Sequence, residues 1–146
     1  MAYSDKPAIL LVEDSRVLAK VIEQRLSPFF RVEMVYDGAE AIKHIPNIDG
    51  YSAIILDIVL PKADGFEVLR ALRDQGKRTP VVIITAKPRQ AVEPEVRDLH
   101  VEAILSKPLD FGVLTDLLQE AVSKVSGRAV EEAQVNKATG GSRCVS

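Results

Sequence analysis

Three short runs without a single polar residue constrain this chain most: Ala8–Val12 (AILLV), residues 54–56 (IIL) and residues 81–84 (VVII), each separated from the next by a longer amphipathic stretch. A strand that is apolar on both faces has to be covered on both. The arrangement that does so is a parallel sheet with helices packed against either side. Arg31–Val35 (RVEMV) and residues 103–105 (AIL) are weaker strand signals and read as positions nearer the sheet edges. A length of 146 residues suits one domain.

Helix signals fill the intervals. Ser15 can cap a helix whose apolar positions, Val17, Leu18, Val21, Ile22 and Leu26, follow the i, i+3, i+4 spacing, and Pro28 stops it. Asp37 with Glu40 three residues on resembles a capping box that opens a short helix through Ile45. Phe66, Leu69 and Leu72 mark a third helix after Gly65. Asp110 caps a last one, with Phe111, Leu114, Leu117, Leu118, Val122 and Val125 on one face and Gly127 past its end. Between Ala86 and His100 stand Pro88 and Pro94, and proline breaks a helix interior. Pro94 is therefore expected at the first helical position of a short helix to Leu99, behind a long, mobile loop at 87–93. His100 is expected in a left-handed cap.

These units form an α/β, doubly wound, five-stranded parallel sheet over residues 8–126. Residues 1–7 are expected to be a flexible N-terminus. Residues 127–146 are polar, contain Gly140 and Gly141, and are expected to be disordered, with no room for a further domain.

Composition excludes several function classes. A formal net charge of −2 gives no general attraction to nucleic acid or anionic lipid. No apolar run is long enough to span a bilayer, and the first seven residues hold no secretory h-region, so a cytoplasmic location is expected. One cysteine, Cys144, leaves no internal disulfide and no multi-cysteine metal site, and it lies outside the four-residue prenylation position. His44 and His100 are isolated from each other, which argues against zinc.

In an open parallel sheet, ligands bind outside the carboxyl ends of the strands. Glu13 and Asp14 follow the first strand, Asp57 ends the third, Thr85 follows the fourth, and Lys107 with Pro108 follows the fifth. A phosphate cradle after the first strand needs glycines, yet the chain has Glu-Asp-Ser-Arg there. Paired carboxylates attract a hard cation instead, and Mg²⁺ suits such oxygen donors. Like charges about 4 Å apart repel by about 1–4 kcal/mol per pair, so three acids need a divalent ion and a nearby amine. Lys107 supplies the amine, and the set suits phosphoryl transfer to a carboxylate nucleophile.

The ordered set of Glu13-Asp14, Asp57 within the segment LDIVLPKADG at 56–65, Thr85-Ala86 and Lys107-Pro108 resembles the receiver domain of bacterial two-component response regulators. The resemblance implies a flavodoxin-like strand order of 2-1-3-4-5, with helices on both faces. It implies that Asp57 accepts a phosphoryl group from a phosphohistidine on a sensor histidine kinase or histidine phosphotransfer protein. Asp14, Asp57 and the Val59 backbone carbonyl would hold Mg²⁺, with Glu13 acting through water. Lys107 would pair with the phosphoryl group and Thr85 would turn its hydroxyl toward it. The Lys107–Pro108 bond is a cis candidate by the same resemblance. The output would be a protein–protein contact with a downstream target, with no catalysis beyond phosphorylation and dephosphorylation of the chain itself.

Two departures stand out. Ile104 occupies the position, three before the lysine, where the family usually has an aromatic switch residue, and Pro88 and Pro94 alter the segment that usually moves. Val59, which has no polar group to orient water, and Lys87, which can cover an acyl phosphate, together suggest slow loss of phosphate. Two other readings stay open. One is a degenerate receiver serving as a phosphate-independent scaffold. The other is a haloacid dehalogenase-type phosphatase, although Val59 stands where that family has its second acid.

Overall fold

The computed structural model describes residues 5–131, with side chains through Lys124. In chain order the elements are β1 (Ala8–Val12), α1 (Arg16–Leu26), β2 (Arg31–Val35), α2 (Gly38–His44), a 3₁₀ segment (Ile45–Gly50), β3 (Ala53–Asp57), α3 (Gly65–Asp74), β4 (Val81–Thr85), α4 (Arg89–Val96), β5 (Ala103–Ser106) and α5 (Phe111–Glu131). All strand pairs are parallel, in the order β2-β1-β3-β4-β5. The weaker strands, β2 and β5, are the two edges, as their mixed composition implies.

Alternation along each strand divides the core in two. Leu10, Val12, Ile54, Leu56, Val81 and Ile83 pack with Ala41 of α2, Leu69 and Leu72 of α3, and Val92 and Val96 of α4. Ile9, Leu11, Ile55, Val82 and Ile84 pack on the other side with Ile22 and Leu26 of α1 and Leu114 and Leu118 of α5. Every residue of β1, β3 and β4 is buried. These three runs thus carry apolar side chains to both layers and hold the acids that follow them at one end of the sheet.

The expected caps are present. Ser15 accepts the Leu18 N–H, Asp37 the Glu40 N–H at 2.7 Å, and Asp110 the Val113 N–H at 3.0 Å. Asp64, which with Gly65 reads as a turn and helix start, does the same for α3 by accepting the Glu67 N–H at 2.9 Å. His100 has φ 57° and the Lys107–Pro108 bond is cis, both as expected.

Two helices differ from expectation. α4 begins at Arg89, directly behind Pro88, and Pro94 lies inside it rather than at its start. The helix ends at Val96 instead of Leu99, and only residues 86–88 link β4 to it. The reason lies in packing: Val92 and Val96, one turn apart, are both buried. Pro94 and Gln90, whose hydrogen bond proline removes, lie on the exposed face. Pro88, at φ −61° and ψ 145°, supplies the extended entry, and its carbonyl accepts the Ala91 N–H at 2.9 Å. α5 runs through Gly127 to Glu131. A single glycine weakens a helix by about 1 kcal/mol without forcing a stop. The Val125 side chain, Cys144 and most of the expected tail lie outside the described residues. Among those residues, no helix is long and apolar enough to cross a membrane.

Candidate functional site

The carboxyl ends of β1, β3, β4 and β5 bring the expected residues together. Glu13 is 1% exposed and Asp57 3%, while Asp14 faces solvent. One carboxylate oxygen from each of Glu13, Asp14 and Asp57 lies within 4.8 Å of the others. Lys107 reaches across the sheet, and its Nζ donates to Glu13 Oε1 and to Asp57 Oδ2, both at 2.9 Å. The remaining oxygens are also engaged: the Ser15 N–H donates to Glu13 Oε2 at 3.0 Å and the Val59 N–H to Asp57 Oδ1 at 3.2 Å. Lys107 is held in place by its own backbone, whose N–H donates to the Thr85 carbonyl at 2.9 Å.

Burial decides the direction at Glu13. It pushes the Glu13 carboxyl above its usual range, and the nearby Asp57 charge adds to that. The hydrogen bonds from Lys107 and the Ser15 amide, with the Lys107 charge, offset part of the shift. For Lys107, burial is the largest single influence and pulls its pKa down. The hydrogen bonds and charges of Glu13 and Asp57 together outweigh it, and the ammonium pKa ends above its ordinary value. One ammonium therefore serves two buried carboxylates with a third acid beside them. Such a donor set fits a hard divalent cation: its oxygens are anionic, clustered and short of positive charge.

Thr85 is fully buried, and its hydroxyl accepts the Lys87 N–H at 3.0 Å. Val59, whose N–H meets Asp57, is 55% exposed. Ile104 is buried at 2% exposure in the layer with Val92 and Val96, and its carbonyl accepts a long bond of 3.4 Å from Arg89.

The amine expected beside the acids is there, as direct hydrogen bonds from Lys107 to Glu13 and Asp57. Two features carry no signal that the sequence reading used. One is Arg89 and its link to Ile104. The other is Arg73: its guanidinium donates to the carbonyls of Leu99, Lys77, Thr79 and His100. The available signal was an arginine next to the buried Leu72, in a helix followed by Gly76.

Residues 9–119 match the response regulator receiver domain family. The chain is 36% identical over 132 residues to the transcriptional regulatory protein TctD of Salmonella typhimurium, a match covering 88% of this chain and 58% of TctD. The chain thus spans a little over half the length of that relative. Among solved structures, it is similar to the signal receiver domain of a putative Luxo repressor protein from Vibrio parahaemolyticus, with a TM-score of 0.78, 26% identity, and 90% of this chain and 99% of that one covered. It is also similar to the receiver domain of a sensor histidine kinase from Pseudomonas aeruginosa, with a TM-score of 0.72, 33% identity, and 81% and 98% covered. That structure has a magnesium ion coordinated in its active site cleft. None of these relatives favours a phosphatase of the haloacid dehalogenase type. The family match, the strand order and the acid–lysine cluster agree, and the chain belongs to the response regulator receiver domain family.

Proposed function

We propose that this chain is a phosphorylation-dependent response regulator unit in which Asp57 takes a phosphoryl group from a phosphohistidine. The observation that carries the reading is the Lys107 ammonium held at 2.9 Å from both Glu13 and Asp57, beside exposed Asp14. An oxygen of Asp57 would attack phosphorus. The new O–P bond forms as the N–P bond breaks, and that electron pair returns to the imidazole of the donor. Lys107, already on Asp57 Oδ2, would follow the charge onto the phosphoryl oxygens. Asp14, Asp57 and the Val59 carbonyl would hold Mg²⁺, with Glu13 behind them. When bound, the ion would supply positive charge that one lysine alone does not provide. Thr85, buried beside Lys107, would exchange its Lys87 contact for the phosphoryl group.

The donor would be a sensor histidine kinase or histidine phosphotransfer protein in the cytoplasm, and the output a protein contact. The curated relatives are named transcriptional regulators. The expectation of no nucleic-acid contact applies only to the receiver unit. A phosphate-independent scaffold is the second reading, favoured by buried Ile104 in place of a mobile aromatic.

Beryllofluoride with Mg²⁺, a phosphoryl mimic, separates the two. Phosphorylation-dependent signalling requires binding that shifts the amide resonances of Thr85 and residues 86–88. A spectrum unchanged by the mimic would support the scaffold instead.

A further inference from the structure

The segment from Asp57 to Gly65, which carries Asp57 and the Val59 carbonyl, is gripped from two sides by close backbone approach. At its far end Gly65 opens α3 so tightly against β3 that a Cβ there would lie 2.7 Å from Ile58 Cα and inside the envelope of the Asp57 carbonyl oxygen. The Gly65 N–H donates to the Ile58 carbonyl at 2.8 Å. The second grip comes from a different element. Gly38, the first residue of α2, donates its N–H to the Pro61 carbonyl at 3.1 Å. A Cβ on Gly38 would lie 2.6 Å from the Ala63 carbonyl carbon and 2.9 Å from Ala63 Cβ, and closer still to the Ala63 oxygen. Beside it Lys62, at φ 74°, sets its ammonium 3.6 Å from Asp37, the cap of α2. Gly38 is buried with ordinary helical neighbours, so it is there for close approach and not for a positive φ.

We propose that Gly38 is a positioning residue for the ion site: the N-terminus of α2 docks the 59–64 loop and thereby holds the Val59 carbonyl where Mg²⁺ needs it. This rests on the reading that the carboxylate cluster binds Mg²⁺. Among the described residues no hydrogen bond or ion pair joins α2 to the acids; the effect passes through Pro61 and Ala63. Substituting alanine at Gly38 improves the helix propensity of α2. Its damage would therefore fall on the loop, which must back away from the new methyl.

The test uses Mg²⁺ alone as the probe and calorimetric titration as the readout. Gly38→Ala is expected to weaken Mg²⁺ binding about tenfold, as loss of a supporting contact around a metal does. Adding Ala63→Gly to that variant should restore part of the affinity, because one of the three clashes is Ala63's own methyl. A defect confined to α2 stability would not respond to a change in the loop. A measurement on the unaltered protein stands apart from any folding failure. By reciprocity, a contact that raises Mg²⁺ affinity is strengthened by Mg²⁺ by the same factor, so exchange of the Gly38 amide should slow about tenfold on saturation. Folded Gly38→Ala with undiminished Mg²⁺ affinity, or a Gly38 amide whose exchange ignores Mg²⁺, overturns the proposal. If the unaltered protein binds no Mg²⁺ at all, the ion site itself is wrong and the proposal falls with it.

Discussion

Two partly buried cations sit at opposite ends of β4 and β5, and their partners could hardly differ more. Lys107, beyond the carboxyl ends, is shared by two buried carboxylates. Arg73, beyond the amino ends, has no carboxylate within hydrogen-bond reach among the described residues; it donates to four backbone carbonyls, from 2.8 Å at Leu99 to 3.1 Å at His100. Burial pulls the Arg73 pKa down, with nearby Glu102 opposing, and the net shift is downward; around Lys107 the acids win and the net shift is upward. Carbonyls belong to the chain and stay where the turns put them. Carboxylates carry charge and can trade one cation for another. One end of the sheet pins two turns, and the other, on the proposed reading, would exchange partners.

Breaking Arg73 should have the larger effect on stability. Arg73→Met strands up to four carbonyls in the 77–79 and 99–100 turns and is expected to lower unfolding free energy by about 3 kcal/mol. Arg73→Lys should recover less than half, since an ammonium does not span the same fork. Denaturant unfolding with and without Mg²⁺ should give the same loss, because no ion site is touched.

Lys107→Met leaves Glu13 and Asp57 buried together without a counter-ion. The expected loss is about 2 kcal/mol in chelator, and Mg²⁺ should restore most of it. If Mg²⁺ rescues both variants or neither, the contrast between the two ends fails.

A third polar contact, on the β2 edge, marks the lower end of the scale. The Tyr51 hydroxyl donates to Glu33 at 2.6 Å. Burial first, then that hydrogen bond and the Glu33 charge, push its pKa to about 12. A phenol whose pKa is raised on folding adds stability that is complete below its ordinary value near 10 and is lost as pH rises through about 12. Absorbance titration should show a late ionisation that is absent in Tyr51→Phe and shifted down in Glu33→Gln. Ionisation of every tyrosine together near pH 10 would contradict it.

Much of this was legible in the chain because strands apolar on both faces declare themselves locally. The acids, the threonine and the lysine follow those strands directly, so reading the sheet located the site. At α4 the local penalty of Pro94 yields to the burial of Val92 and Val96, which composition around the proline does not signal. At Gly127 a weak helix former does not stop α5, which runs on to Glu131. The bonds of Arg73 to Leu99 and His100 and the press of α2 on Ala63 join residues distant in sequence, and no periodicity encodes them.

The most direct measurement is to expose the protein to a phosphohistidine donor with Mg²⁺ and map any covalent phosphate by mass. The account predicts one acyl phosphate, on Asp57, absent without Mg²⁺ and absent in Asp57→Ala. Phosphate on another residue, or undiminished labelling of Asp57→Ala, would contradict it.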